Sequence, residues 1–201
     1  MIVVTTPRSL PSDDRGSTAD VSRKDLSTRG IRLMNIIIRN ENESDIERIS
    51  QITKKAFQSL AISNHTEQFI IKALRKANAL TISLVAEKEK TVVGHIAFSP
   101  VTISDGSPNW YGLGPISVLP ELQKQGIGKM MMYEGLSLLK SLGANGCVLV
   151  GDPGYYEWFG FKSLSNLFVD GVPEKYVLAL PFEKSKVHGT VMFHEAFSAN
   201  G

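Results

Sequence analysis

The feature that most constrains this chain is a glycine-containing turn between an apolar strand and a helical pattern, within residues 114–132. The first turn of a helix leaves backbone amides without partners, and the helix macrodipole places partial positive charge there. Because Gly126 and Gly128 have no Cβ, an anion can approach this backbone closely. Lys124 and Lys129 add full positive charge on either side. The turn is therefore predicted to bind phosphate.

Two common phosphate-binding motifs do not fit this turn. A P-loop requires Gly-x-x-x-x-Gly-Lys-Ser/Thr, but Lys129 is followed by Met130, and residues 121–125 lack the earlier glycine. A dinucleotide fingerprint requires a third glycine where this chain has Met131. The pattern that remains is Gln-x-x-Gly-x-Gly over residues 123–128, placed after an apolar strand and before a helix.

Length, composition and net charge limit the classes of protein to which this chain can belong. The chain has 201 residues, 42% of them hydrophobic and 21% charged, which suits one globular domain. A net charge of +2 gives no general reason to expect nucleic acid or an anionic membrane as partner. The single cysteine fits a reducing compartment, so we expect a cytoplasmic protein, and the scattered histidines predict no metal site.

Residues 1–33 are polar and contain few apolar groups. We expect them to be a disordered tail or the product of a misassigned start, with one domain over 34–201.

Hydrophobic periodicity predicts a mixed α/β sheet without internal repeats. Strands are predicted at 35–39, 81–87, 91–99 (extending up to 103), 110–118, 147–150, 176–180 and 190–194. Helices are predicted at 46–57, 66–76, 126–142 and, as a short segment, from 153 onwards. Ser44 with Glu47 is predicted to form a capping box for the first helix, and Asp152 to cap the last. The segment 58–65 is predicted to be a loop that closes over an acceptor.

Seven residues inside these elements have predicted structural roles. Pro115 in the fourth strand removes a ladder donor, which indicates a bulge that opens the sheet. Gly135 in the third helix suggests close packing against the sheet. The third helix is expected to bury Ile127, Met131, Leu138 and Leu142, with its methionines in the core. Cys147 is expected to be a buried structural thiol.

Three motifs together resemble the GNAT family of acyltransferases. Gln123-x-x-Gly126-x-Gly128 is similar to the family's Gln/Arg-x-x-Gly-x-Gly/Ala signature, and Tyr156 begins a segment similar to its Tyr-x-x-x-Gly-Phe. Residues 114–120 resemble its fourth strand with the bulge. Together with Gly-Asp-Pro-x-Tyr-Tyr at 151–156, they resemble a bacterial subgroup of the YhbS type. The resemblance implies an α/β fold with a mostly antiparallel sheet splayed between strands four and five. It also implies acetyl-CoA, or a related acyl-CoA, as donor.

The resemblance also implies a set of cofactor-binding and catalytic residues. The CoA diphosphate is expected on the amides of residues 124–129, and the pantetheine arm on the backbone of Ile116 and Val118. The Val118 amide would stabilise the oxyanion, and Tyr156 would protonate the leaving thiolate. Tyr156 is alternatively part of an aromatic core patch, in which Tyr155 is expected to be the core residue. The predicted cofactor-binding set is Ile116, Ser117, Val118, Gln123, Lys124, Gln125, Gly126, Ile127, Gly128, Lys129 and Tyr156.

Several questions stay open at the level of sequence. Asp152 is one candidate for the general base; alternatively Ser117, a water held by backbone carbonyls, or His95 relays the proton. An amine of modest pKa needs no strong base. The acceptor is an amine of a small molecule or a protein, and the protein is a monomer or homodimer. The alternatives to catalysis are a binding module that senses acyl-CoA without turnover, and a site for a different phosphate ligand such as ATP.

Overall fold

The computed structural model describes residues 35–58, 60, 63–183 and 186–201. The predicted tail or misassigned start at 1–33 lies outside these residues, and so does part of the predicted 58–65 loop. The strands are β1 (Ile36–Asn40), β2 (Ile82–Lys88), β3 (Thr91–Ile103), β4 (Trp110–Val118), β5 (Gly146–Val150), β6 (Lys162–Ser163), β7 (Leu167–Phe168), β8 (Val177–Pro181) and β9 (Gly189–Phe193). The helices are α1 (Ile46–Phe57), α2 (Glu67–Lys76), α3 (Ile127–Ser141) and α4 (Pro153–Tyr156), with short 3₁₀ segments between elements.

The strands form one mixed sheet in the order β1-β2-β3-β4-β5-β8-β6. Neighbouring strands along this path are antiparallel, except that β4 and β5 are parallel. The long strand β3 also pairs at its outer end with β9, which in turn pairs with β7. The predicted mixed α/β sheet is confirmed. The two-residue strands β6 and β7 were not predicted, because a two-residue strand is too short to show a periodicity of two.

The two faces of the sheet carry different helices. A Cβ added to Gly128 of α3 would lie 3.8 Å from the Ile116 side chain and 3.9 Å from that of Val118. The intervening residue, Ser117, contacts Thr53 of α1 through its hydroxyl group, at 3.2 Å. Successive side chains of a strand point to opposite faces, so α3 covers one face of the sheet while α1 lies on the other.

Close packing of α3 on the sheet depends on Gly135. A Cβ added there would lie 2.3 Å from a ring carbon of Phe98, which leaves no room for any other side chain. The close approach predicted from this glycine is therefore confirmed. The predicted buried face of the helix is partly wrong, because Leu142 is 59% exposed whereas Met132 and Leu136 are buried. Leu142 is wrongly placed because α3 ends at Ser141.

The helix ends differ in how well their caps were predicted. Ser44 is not the cap of α1, because a 3₁₀ turn (Glu43–Asp45) precedes that helix, and the capping box is formed by Asn42 and Asp45. The hydroxyl of Ser44 instead donates to the Asn42 side chain at 2.6 Å. Asp152 does cap α4 as predicted, accepting from the amide of Gly154 at 3.0 Å.

Candidate active site

A slot opens in the middle of the sheet between β4 and β5. The two strands pair only at their first residues, with Trp110 opposite Gly146 and Gly112 opposite Val148. A bulge in β4 follows at once, since Ile96 of β3 faces Ile116 whereas Phe98 faces Leu113. Two residues of β4, including Pro115, are thus accommodated opposite one residue of β3. The predicted bulge and the predicted splaying of the sheet are confirmed.

The edge of β4 beyond the bulge has backbone groups that face the slot. The amide of Leu119, just after β4, donates to the carbonyl of Val93 on β3, at 3.0 Å. In an antiparallel ladder, residues alternate between bonding a neighbour and pointing away from it. Ser117 therefore bonds towards β3, while the backbone groups of Ile116 and Val118 point towards β5. In the described register, β5 does not reach either residue.

At the mouth of the slot, the start of α3 presents several backbone amides. Gly126 has a φ of +88°, and Lys124 a φ of +61°, so two left-handed residues turn the chain into the helix. The first amide that bonds back is that of Met130, which donates to the Gly126 carbonyl at 3.0 Å. Within the described residues, the amides of residues 127–129 bond to no backbone carbonyl. Such a helix start is a site for an anion.

Gln123 and Gly128 shape this turn in different ways. The Gln123 side chain donates to the carbonyl of Val118 at 3.0 Å, so it closes the turn onto the end of β4. Gly128 leaves space beside the slot, because a Cβ there would lie 3.2 Å from the hydroxyl of Tyr155. The ammonium of Lys129 lies over the exposed Tyr133 ring, 5.6 Å from its centroid. Gln123, Gly128 and Lys129, which are among the residues predicted to hold a diphosphate, thus all lie at the turn into α3.

Tyr156 lies in the core just beyond the end of β5, where a Cβ added to Gly151 would lie 2.6 Å from its ring. Its side chain is fully buried, with its ring 6.0 Å from that of Phe161 and 4.9 Å from that of Tyr155. Its hydroxyl has no hydrogen-bond partner among the described residues. Burial, reinforced by Tyr155, Cys147 and Asp152, raises the pKa of this phenol well above its ordinary value. The phenol is therefore protonated at physiological pH and can only donate a proton.

The burial of the two adjacent tyrosines is the reverse of what the sequence suggested. Tyr155 was expected to be the core residue, but it is only half-buried and its hydroxyl reaches Gly128 at the mouth of the slot. Burial raises the pKa of Tyr155 to about 12. The positions differ because α4 is only one turn long, so adjacent residues point in different directions.

Three other candidate residues are occupied by structural contacts. Asp152 caps α4, and Cys147 is fully buried with its thiol pKa raised by burial, as expected for a structural thiol. Ser117 is 3% exposed and bonds Thr53 on the face opposite α3. In the described part of the chain, no cluster of ionisable side chains could hold a metal ion. No helix described there is long and apolar enough to cross a bilayer.

Sequence reasoning missed a polar network on the same face as Ser117. Arg75, Glu41, Ser83 and His95 are joined there by hydrogen bonds. A signal was present, because Ser83 lies between Ile82 and Leu84, and His95 lies within the largely apolar run of β3. The register that aligns them with Glu41 was not readable from the sequence.

A sheet opened between two parallel strands, with an amide-rich helix start at the mouth, is the architecture of an N-acyltransferase. Residues 46–161 match the Acetyltransferase (GNAT) family. The chain belongs to this family and is a GNAT N-acetyltransferase.

Solved structures and curated relatives agree with this assignment. A GNAT family acetyltransferase from Brucella melitensis, solved in complex with acetyl-CoA, is 48% identical, with a TM-score of 0.72 over 81% of this chain and 97% of that chain. The N-acetyltransferase YhbS of Escherichia coli, solved with CoA, is 30% identical, with a TM-score of 0.75 over 83% and 94% of the two chains. In sequence, YhbS of strain K12 is 34% identical over 128 residues, covering 63% of this chain and 74% of YhbS. The resemblance inferred from the motifs is confirmed.

Proposed function

We propose that this protein transfers an acetyl group from acetyl-CoA to an amine of a small molecule or a protein. The observation that carries the proposal is the slot between β4 and β5, in which an unpaired strand edge adjoins the bare amides of α3. The relatives from B. melitensis and E. coli, solved with acetyl-CoA and CoA, support the choice of donor.

The residues around the slot fit a CoA molecule. The amides of residues 124–129 suit a diphosphate, with Lys129 adding positive charge and Gln123 holding the turn in shape. The pantetheine arm contains amide groups, and the outward-facing backbone of Ile116 and Val118 would pair with them as a neighbouring strand does. Gly128 is suited to this place, because a larger residue would intrude on the space beside Tyr155.

The chemistry follows from the same groups. The nitrogen lone pair of the acceptor attacks the thioester carbonyl directly, within a complex that holds both substrates. The Val118 amide donates to the carbonyl oxygen as it becomes negative. As the C–N bond forms and the C–S bond breaks, Tyr156 gives its proton to the leaving thiolate. The attacking nitrogen loses one proton to become the amide nitrogen, and Tyr156 regains a proton from solvent after the products leave. The unpaired hydroxyl of Tyr156 supports this role, because a buried donor without a partner is rare unless a ligand supplies one.

The proposal is tested by turnover with acetyl-CoA and three amines of different class: spermidine, phenethylamine and a lysine-containing peptide with a free N-terminus. Thiol release is followed with a thiol reagent, and the acetylated product is identified by mass spectrometry. We expect acetylation of at least one amine above the rate without enzyme. Binding of CoA without any turnover would favour the acyl-CoA sensor instead. Thermal stabilisation by ATP but not by CoA would show that the slot holds a different phosphate ligand.

A further inference from the structure

A row of polar side chains crosses the buried face of the sheet that lies opposite α3. His95 of β3 lies in register between Val85 of β2 and Ser117 of β4. The amide of Glu41, just after β1, donates to the Ser83 carbonyl at 3.0 Å, which extends the row across the sheet. His95 is fully buried and Ser117 is 3% exposed. Polar groups buried in a sheet interior require partners, so their hydrogen bonds can be followed one by one.

The first bonds in this row fix Glu41 as an ionised carboxylate. Arg75 of α2 binds both of its oxygens, at 2.8 Å and 2.7 Å, and Ser83 contacts Oε2 at 2.6 Å. Burial raises the pKa of Glu41, but the hydrogen bonds with His95, Arg75 and Ser83 outweigh this and hold it well below its ordinary value. An ionised carboxylate only accepts hydrogen bonds. The single hydroxyl proton of Ser83 is therefore directed to Glu41.

The tautomer of His95 follows from that assignment. Ser83 Oγ lies 2.8 Å from His95 Nε2, and because its proton is used for Glu41, it must accept from Nε2–H. Burial lowers the pKa of His95, so the ring is neutral and Nδ1 carries a bare lone pair. Nδ1 has no hydrogen-bond partner among the described residues. A buried nitrogen such as Nδ1, with a fixed orientation and no hydrogen-bond donor, can accept a proton and act as a general base.

The groups around His95 are charged on the β1–β2 side and uncharged on the β4 side. Its charged neighbours are Glu41 and Arg75, which bind each other, while Arg39 is in register with Val85 and paired with Asp45 and Glu87. The buried carboxylate of Glu67 on α2 accepts from Ser63. On the β4 side, His95 is opposite the uncharged Ser117, whose hydroxyl contacts Thr53 of α1 at 3.2 Å.

We propose that His95 takes up the proton released by the acceptor amine, through the hydroxyl of Ser117, with Ser83 and Glu41 as positioning residues. This inference rests on the proposed acetyl transfer. After attack, the Ser117 hydroxyl turns from Thr53 to His95 Nδ1, which lies opposite it in register and has no other partner among the described residues. The positively charged nitrogen then gives a proton to Ser117 Oγ while the Ser117 proton moves to His95 Nδ1. The imidazolium that results is balanced by Glu41, and its proton passes to solvent after product release.

The first test measures the rate of transfer in His95→Gln and Ser117→Ala, using whichever of the three amines wild type acetylates fastest. Loss of a general base typically lowers the rate about 100-fold or more, and we expect kcat to fall by that order with CoA affinity unchanged. In wild type, the rate should fall at acid pH as Nδ1 becomes protonated, below the ordinary His pKa of about 6.5. The rate of His95→Gln should not show this fall at acid pH, which is called the acid limb below.

Ser99→Ala is the matched control. Ser99 lies on β3 two residues from Ala97 and four from His95, so it shares their face, and its fully buried hydroxyl also has no partner among the described residues. This variant should keep the wild-type rate. If His95→Gln keeps both the rate and the acid limb, the inference is wrong while the acetyl transfer stands. If wild type acetylates none of the amines, the proposed function itself fails, and the inference with it.

A second measurement needs no variant. In ¹⁵N-histidine NMR of the full chain with CoA, His95 should show a protonated Nε2 and an unprotonated Nδ1 near pH 7.5. A proton on Nδ1 at that pH would overturn the inference independently of any activity.

Discussion

The hydroxyl of Tyr156 is fully buried and has no hydrogen-bond partner among the described residues. Leaving such a donor unpaired costs about 1–3 kcal/mol, whereas an apolar group of the same shape avoids that cost. Phenylalanine at this position would therefore fill the core at least as well. A tyrosine whose hydroxyl reduces stability is best explained by a role in the presence of a ligand.

Tyr156→Phe separates the catalytic interpretation from the aromatic core patch. We expect kcat to fall about 100-fold, because general-acid assistance to the thiolate is lost. The midpoint of thermal unfolding should stay the same or rise, since no hydrogen bond is removed. CoA affinity by calorimetry should be within about twofold of wild type, because only the thiolate step uses the proton. An unchanged kcat would assign Tyr156 to the core alone.

At the scale of the element, α3 combines close packing with an exposed binding end. Its middle approaches the sheet at Gly135, where the ring of Phe98 occupies the place of a side chain. Its first turn holds the amides at the slot. Because the helix is rigid between these points, its packing on the sheet sets the position of the amides.

Gly135→Ala should destabilise the protein in spite of the better helix propensity of alanine. The added Cβ would lie 2.3 Å from Phe98, and overpacking of this kind costs about 1–3 kcal/mol. Urea unfolding measures the loss. Glu134→Ala, at the exposed neighbouring position, is the control and should change stability by less than about 0.5 kcal/mol. Phe98→Leu in combination with Gly135→Ala should recover part of the loss, and no recovery would contradict the overpacking explanation.

Lys129 and Lys140 provide a matched pair at the two ends of α3. Both are exposed, and both ammonium groups lie over an aromatic ring, at 5.6 Å and 5.2 Å from the centroid. Lys129→Gln should weaken CoA binding about three- to tenfold at low salt and less at high salt, because an exposed charge is screened. Lys140→Gln should leave the affinity unchanged. Equal effects of the two substitutions would place the diphosphate away from the start of α3.

Most elements were predictable because their signals are local. The turn at 123–128, the bulge at Pro115 and the cap at Asp152 each depend on residues next to one another in sequence. The reversed burial of Tyr155 and Tyr156 depends on how a one-turn helix sits on the sheet. The network of Glu41, Ser83 and His95 depends on strand register, which only the folded sheet defines.

At the scale of the whole molecule, one ion-pair network joins the first two strands to the start of α1. Arg39 of β1 contacts Asp45 at 2.6 Å and Glu87 of β2 at 2.8 Å. The hydrogen bond from Arg39 lowers the pKa of Asp45, so its folded pKa is below its unfolded value. Its contribution to stability is present above the unfolded pKa and is lost as pH falls through the folded pKa.

The free energy of unfolding should therefore decline as pH falls from about 5 towards 3, and Asp45→Asn should make this decline shallower. Urea unfolding at a series of pH values measures both slopes. Asp170→Asn, at an exposed position far from Arg39 in sequence, serves as the control and should keep the wild-type slope. A decline as steep in Asp45→Asn as in wild type would show that this carboxylate does not contribute.

The most direct test of the whole account is a crystal structure of the full chain with CoA. We expect diphosphate oxygens within about 3.2 Å of backbone nitrogens in the 124–129 turn. The pantetheine arm should run along β4, bonded to the backbone of Ile116 and Val118. CoA bound elsewhere, or β4 and β5 paired along their full length with no slot between them, would contradict the account.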